Sequence, residues 1–134
     1  MFDLGKLAVL NYGNNIEHQA LGEQLVAAAY RVFELSGDSI RDRRSLFAAV
    51  SKDLLQGEPV ETWSGLEDSL RNALLDCREL KLALVWTSTQ QMLDGGLADL
   101  VTFLDILMRI SRQFYSQNRL LVTFLLGEGP NFRS

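Results

Sequence analysis

Residues 80–86, LKLALVW, carry the clearest structural signal in this chain of 134 residues. Apart from Lys81, the run is apolar throughout. Such near-continuous apolar runs are typical of a strand that is buried on both faces of a parallel sheet. A second run of this kind, LLVTFLL, spans residues 120–126. We therefore predict two central strands at these positions.

A helix is predicted between these two strands, over Leu97–Phe114, because apolar residues surround most of its circumference. On the N-terminal side of the first strand, Ser64–Cys77 has helical periodicity. Ser64 is its predicted N-cap, with Glu67 three residues later completing a capping-box pattern. A further helix is predicted over Asp42–Leu55, with Asp42 as N-cap.

The N-terminal third of the chain adds a strand and a helix. Tyr30–Leu35 alternates polar and apolar residues and is rich in strand-forming types. Ile16–Ala29 is predicted to be a helix capped by Asn15, and Leu7–Leu10 is either a short strand or an apolar leader. Strands separated by helices form parallel pairs with right-handed crossovers. The predicted fold is α/β: a small three-stranded parallel sheet covered by helices, with an extra N-terminal helical segment.

Composition narrows the possible functions. The net charge of −4 and the pI near 4.9 favour a basic protein partner over nucleic acid. With Cys77 and His18 as the single cysteine and histidine, we expect neither a disulfide nor a metal site. No phosphate-binding glycine motif is present, so we expect no cofactor and no enzyme activity. The absence of a long apolar run or a signal-like start predicts no membrane contact and a cytoplasmic location.

The helix predicted over Ser64–Cys77 has two distinct faces. On a helical wheel, an inward stripe is formed by five residues: Leu66, Leu70, Ala73, Leu74 and Cys77. Asp68 and Asn72 lie one turn apart on the outward face, and Leu75 points outward beside them. Asp68 is expected near the N-terminal turn, where the helix dipole stabilises its negative charge.

The order and spacing of these segments resemble the barstar family of ribonuclease inhibitors. The match runs from about Leu25 to Leu126 and centres on TWSGLEDSLRNAL, residues 62–74. There the family carries an aromatic–glycine pair, an asparagine, an aspartate, a leucine and commonly a second acidic residue, at the start of its second helix. The matching positions are Trp63 for the aromatic, Asp68 for the aspartate, Leu70 for the leucine and Asn72 for the second acid, while Ser64 and Leu66 replace the glycine and the asparagine.

The resemblance implies a barstar-like domain of residues 25–127, preceded by an extension of residues 1–24 packed on it and followed by a flexible tail of residues 128–134. It also implies a cytoplasmic bacterial inhibitor, such as an immunity protein, whose partner is a basic microbial ribonuclease. The family's aspartate enters the nuclease active site, which implies that role for Asp68. The predicted partner-binding residues are Trp63, Asp68 and Asn72, together with Glu67, Leu75 and Asp76.

Two alternatives stay open. In the first alternative, the chain is a barstar-like scaffold that no longer inhibits a nuclease and acts as an interaction or oligomerisation module, for example as a homodimer. A small enzyme that uses acidic residues is the third hypothesis, and it predicts turnover where an inhibitor predicts a stoichiometric end point. The residues Glu61, Glu67 and Asp76 also have a simpler interpretation as a solvated acidic face.

Overall fold

The structure, a computed structural model, describes Leu4 and residues 7–132 of the chain. Of the predicted N-terminal extension and tail, residues 1–3, 5–6 and 133–134 lie outside the described residues. The described chain forms an α/β fold whose elements are β1 Leu10–Asn14, α1 His18–Ala27, β2 Arg31–Ser36, α2 Arg43–Leu54, α3 Trp63–Leu75, β3 Lys81–Thr87, α4 Leu97–Ser116 and β4 Leu120–Gly127.

The sheet has four parallel strands in the order β1-β4-β3-β2. The sequence-based prediction of three strands therefore missed one strand. The additional strand, β1, pairs with β4, with Leu10 opposite Thr123 and Asn14 opposite Gly127. It begins at Leu10, the last residue of the stretch Leu7–Leu10 for which the sequence allows either a strand or an apolar leader. Both central strands, β3 and β4, lie where the apolar runs predicted them.

Helices cover both faces of the sheet. Leu21 and Leu25 of α1 pack with Ala83 and Val85 of β3 and with alternate residues of β4 on one face. The other face carries the larger core, where α2, α3 and α4 pack on the intervening residues of the same strands. Because successive strand residues point to opposite faces, β3 and β4 contribute to both cores and are buried almost throughout.

Local capping differs from the prediction at two of the three expected N-caps. Asp42 caps α2 as predicted, accepting the backbone N–H of Ser45 at 2.9 Å. Asn14, and not Asn15, caps the short 3₁₀ turn that leads into α1. Thr62, and not Ser64, caps α3: its Oγ1 accepts the N–H of Gly65 at 3.0 Å.

The C-terminal end of the described chain packs into the larger core. Pro130–Phe132 form a 3₁₀ turn, and Phe132 is buried. Its ring lies against Gly127, where an added Cβ would come within 2.8 Å of the ring carbons. Among the described residues, no helix is both long and apolar enough to cross a membrane.

Candidate functional site

Helix α3 is fixed to the domain by the apolar stripe that its sequence predicts. Leu66 and Leu70 are fully buried and Leu74 is 3% exposed, all within the larger core. The Thr62 cap satisfies one of the free backbone donors at the start of the helix. Side chains on the opposite face of α3 are therefore presented from a backbone that has little freedom to move.

Asp68 is the more exposed of the two acidic residues of α3. Its side chain is 73% exposed, and Oδ1 lies 3.8 Å from Nη1 of Arg71, one turn further along α3. Since α3 begins at Trp63, Asp68 lies in the second turn and not in the first, which contains no acidic residue. The expected contribution of the helix dipole is therefore small, because that effect falls off within the first turn.

Asn72 and Asp76 extend the exposed face of α3 towards its C-terminus, where Asp76 is the C-cap. Both border a groove of about 400 Å³ that runs between α3, the end of α2 and the edge strand β2. Ser69 borders the same groove and donates a hydrogen bond to Oε1 of Glu58 at 3.1 Å. Asp68, Asn72 and Asp76 thus form a polar ridge along α3.

Glu67 has a different role from that ridge. Its side chain is only 18% exposed and is held by Arg109 of α4, at 2.7 and 3.1 Å, and by Arg71. These hydrogen bonds, that of Arg109 foremost and then that of Arg71, lower the pKa of Glu67 from 4.5 to about 2 despite partial burial. The predicted capping box and the solvated-face interpretation of Glu67 are therefore both wrong: this residue joins α3 to α4.

The two apolar candidates differ from each other in their surroundings. Trp63 is half-buried and packs edge-on against Phe47 of α2, with ring centroids 4.8 Å apart. Leu75 was expected to point outward, but it is half-buried and packs against the larger core. At this last turn of α3, Nη1 of Arg119 donates a hydrogen bond to the Leu75 carbonyl oxygen at 3.4 Å.

The ion pairs made by the arginines around α3 were not predicted from the sequence, although Arg71 was expected to lie on the same side as the acidic residues and to offset part of their charge. Arg71 and Arg109 hold Glu67, and Arg43 and Arg44 border a second groove beside Trp63. The run Arg41-Asp42-Arg43-Arg44 was the available signal for the latter, since it is the densest basic segment of an acidic chain. No sequence signal pairs Arg109 with Glu67, because 42 residues separate them.

A second polar cluster lies at the carboxyl end of the sheet. Ser88 follows β3 with a left-handed backbone (φ 53°), and its Oγ donates to Oδ1 of Asp38 at 2.7 Å. Asn15 hydrogen-bonds both the Ser88 N–H and its hydroxyl. The histidine of the chain, His18, contacts Glu34 at 2.9 Å instead of this serine. Within residues 4 and 7–132, no group of His, Cys, Asp and Glu side chains is arranged to hold a metal ion.

Comparison with known proteins finds no matching family model and no similar curated protein. Among solved structures, the chain is similar to a chain of "Structure of Drosophila ORC bound to AT-rich DNA and Cdc6", with 16% identity and a TM-score of 0.48. It is also similar to a chain of "Structure of Drosophila ORC bound to DNA", with 20% identity and the same TM-score of 0.48. Each match covers 92% of this chain, but 40% of the first matched chain and 67% of the second. At this level of similarity, neither match carries an argument about this protein.

Proposed function

We propose that this protein is a barstar-like inhibitor that masks the basic active site of a ribonuclease with the exposed ridge of α3. The observation that carries the proposal is the presentation of Asp68: a carboxylate with a 73% exposed side chain on a helix whose opposite face is fully buried. The resemblance of residues 62–74 to the family's binding segment supports the same residue.

The mechanism rests on imitation of a phosphate. A ribonuclease holds an RNA phosphate with cationic side chains, and a carboxylate offers them a comparable pair of charged acceptor oxygens. Among the described residues, Asp68 has one loose ion pair, at 3.8 Å from Arg71, so exchanging that contact for a partner's arginine or lysine costs little. The rigid helix limits the conformational entropy lost on binding.

Asn72 and Asp76 lie on the same ridge and define the rest of the contact. Asn72 donates and accepts hydrogen bonds without charge. Asp76 adds a second carboxylate near the end of α3. Glu67 supports the ridge from within by joining α3 to α4, and in this proposal it positions the helix without touching the partner.

The proposal is tested by adding the protein to a panel of small basic microbial ribonucleases and following RNA cleavage. Asp68→Ala should weaken inhibition of a responsive enzyme about 30- to 1000-fold, because losing one partner of a buried charge pair costs about 2–4 kcal/mol. Asp53→Ala is the matched control, since Asp53 is an exposed aspartate on α2. Equal losses for the two variants would refute the assignment of α3 as the binding surface.

A second candidate function, an interaction module without nuclease inhibition, is favoured by the outer surface of α4. Three large apolar side chains are exposed along it: Leu97 at 53%, Val101 at 50% and Tyr115 at 75%. Leu97 and Val101 lie one turn apart near the start of α4, and neighbouring exposed apolar side chains are a common feature of protein interfaces. In this case the chain would assemble with itself or another protein through α4 and leave the ridge of α3 unused.

Light scattering after size-exclusion chromatography distinguishes the two functions. The inhibitor proposal expects a monomer that forms a stable complex with a ribonuclease. The module expects an assembly of the chain alone that Val101→Glu dissociates and Asp68→Ala does not affect. A monomer at all concentrations would exclude self-assembly as the function of α4.

A further inference from the structure

A second groove lies beside Trp63, on the side of α3 that faces α2. It has a volume of about 810 Å³ and runs between the first half of α2 and the segment Pro59–Trp63. Phe47 and Trp63, packed edge-on at 4.8 Å, provide its aromatic surface, and Pro59 and Val60 add apolar contacts. This groove is therefore suited to an apolar side chain of a ligand.

The rim of this groove is basic, in contrast to the acidic chain as a whole. Arg43 and Arg44 line it from the first turn of α2, and both are exposed. In the described part of the chain, neither guanidinium has a carboxylate within salt-bridge distance, whereas Arg71 and Arg109 are both paired. The nearest acidic influence is the N-cap Asp42, which attracts Arg44 without forming an ion pair with it. The first turn of a helix is also the positive end of its dipole, which adds to the attraction for an anion.

Trp63 belongs to this groove and not to the ridge of α3. Asp68 lies five positions after Trp63, and at about 100° per residue the two side chains leave the helix in clearly different directions. The wall that Trp63 shares with Phe47 and Arg44 carries positive charge, whereas Asp68 and Asp76 carry negative charge. Helix α3 therefore separates two surfaces of opposite sign.

We propose that this groove binds an acidic segment of a protein partner, with a partner carboxylate on Arg43 and Arg44 and a neighbouring apolar side chain on Phe47 and Trp63. Guanidinium groups without a partner form strong, bidentate hydrogen bonds with carboxylates. The half-buried ring of Trp63 beside them, backed by Phe47, provides the kind of aromatic contact that anchors interfaces. The site stands independently of the ribonuclease proposal, since it uses a different face and the opposite charge.

A protein segment fits this groove better than single-stranded RNA does. Glu61 lines the groove opposite the arginines and would repel a continuous phosphate backbone. RNA binding without sequence preference needs a basic groove that follows the backbone, and this chain has a net charge of −4. A peptide places its carboxylates at chosen positions and can leave an uncharged residue beside Glu61.

The test uses the whole protein and a short fluorescein-labelled peptide in which glutamate and leucine alternate, with its lysine–leucine counterpart and oligouridylate as competing probes. Fluorescence anisotropy should show binding of the acidic peptide, weakening with salt. The double change Arg43→Gln with Arg44→Gln should weaken it about tenfold or more. Lys52→Gln is the matched control, because Lys52 is exposed on α2 but lines a different depression.

Two further variants keep the result specific. Glu61→Gln should tighten binding of the acidic peptide by a few-fold, since it removes the acidic side chain on the rim. Asp68→Ala should leave peptide binding unchanged, which separates this site from the inhibitory ridge. Circular dichroism of each variant confirms that the fold is retained.

Several outcomes would overturn the proposal. Failure of the acidic peptide to bind at about 1 mM would show that the groove is not an acidic-segment site. Equal binding of the lysine–leucine peptide would show charge-independent adhesion, and equal loss in Lys52→Gln would show a general charge effect that is not specific to the groove. Tight oligouridylate binding that the double arginine variant abolishes would assign the groove to RNA instead. Self-association lost in the same variant would assign it to a second copy of this chain.

Discussion

Replacing Glu67 with glutamine tests how α3 is held in place. The folded environment lowers the pKa of Glu67 from 4.5 to about 2. Since one pKa unit corresponds to about 1.4 kcal/mol, this shift gives an upper value of about 3 kcal/mol for the stabilisation. Solvent screening reduces this value, because the side chain of Arg109 is 46% exposed. We therefore expect Glu67→Gln to lower the free energy of unfolding at pH 7 by about 1–2 kcal/mol.

The assay is urea unfolding followed by circular dichroism at several pH values, with thermal unfolding as a second readout. At pH 7 the melting temperature should fall by about 4–8 °C for a domain of this size. A carboxyl group whose pKa is lower in the folded state stabilises fully above its unfolded pKa and loses that contribution as pH falls. The difference between wild type and Glu67→Gln should accordingly shrink between pH 4.5 and about 2.

The control is Glu61→Gln, a change of the same chemistry at an exposed glutamate. It should alter the free energy of unfolding by no more than about 0.5 kcal/mol. Equal stability of wild type and Glu67→Gln at pH 7 would refute the argument that Glu67 joins α3 to α4. A difference that persists unchanged at pH 2 would show that the effect is not due to the charge of Glu67.

Three further predictions follow from the geometry. Gly37→Ala should lower the free energy of unfolding by about 2 kcal/mol or more, because the added Cβ would lie 2.0 Å from the carbonyl oxygen of Thr87. Gly22→Ala should raise the free energy of unfolding by about 0.5–1 kcal/mol, because Gly22 lies in α1 with open space around it. Urea unfolding of the two variants, measured side by side, tests both predictions. Asp42→Ala should lower the urea midpoint in the same melts through loss of the α2 cap, and an unchanged midpoint would contradict that role. If the ridge of α3 binds a ribonuclease, Asn72→Asp should tighten the complex about tenfold by adding a charge, and weaker inhibition of RNA cleavage would contradict this.

Most of the fold could be predicted because its strongest signals are local. The apolar runs of β3 and β4 and the long amphipathic pattern of α4 each specify one element without knowledge of the others. By contrast, β1 has the sequence LNYGN, in which asparagine and glycine are poor strand formers. Its pairing with β4 makes it a strand, and this tertiary contact is invisible in the sequence.

In the candidate site, too, the features set by local sequence could be predicted and those set by tertiary contacts could not. The outward position of Asp68 follows from the helical period of α3, and the structure agrees with it. The residue at which the helix starts cannot be predicted in the same way, since Thr62 and Ser64 are both favourable N-caps by residue type. In the structure Thr62 is the N-cap, and Trp63 packs against Phe47. With this N-cap, Trp63 lies in the first turn of α3 and Asp68 in the second. The ion pairs of Glu67 depend on α4 and therefore on the complete fold.

The central claim is that the ridge of α3 occupies a ribonuclease active site, and a titration of a responsive ribonuclease at several RNA concentrations tests it most directly. The account predicts complete loss of RNA cleavage at one-to-one stoichiometry. The apparent inhibition constant should rise in proportion to RNA concentration, and Asp68→Ala should shift the curve where Asp53→Ala does not. Inhibition that is insensitive to RNA concentration, or loss of activity at far below equimolar protein, would contradict it.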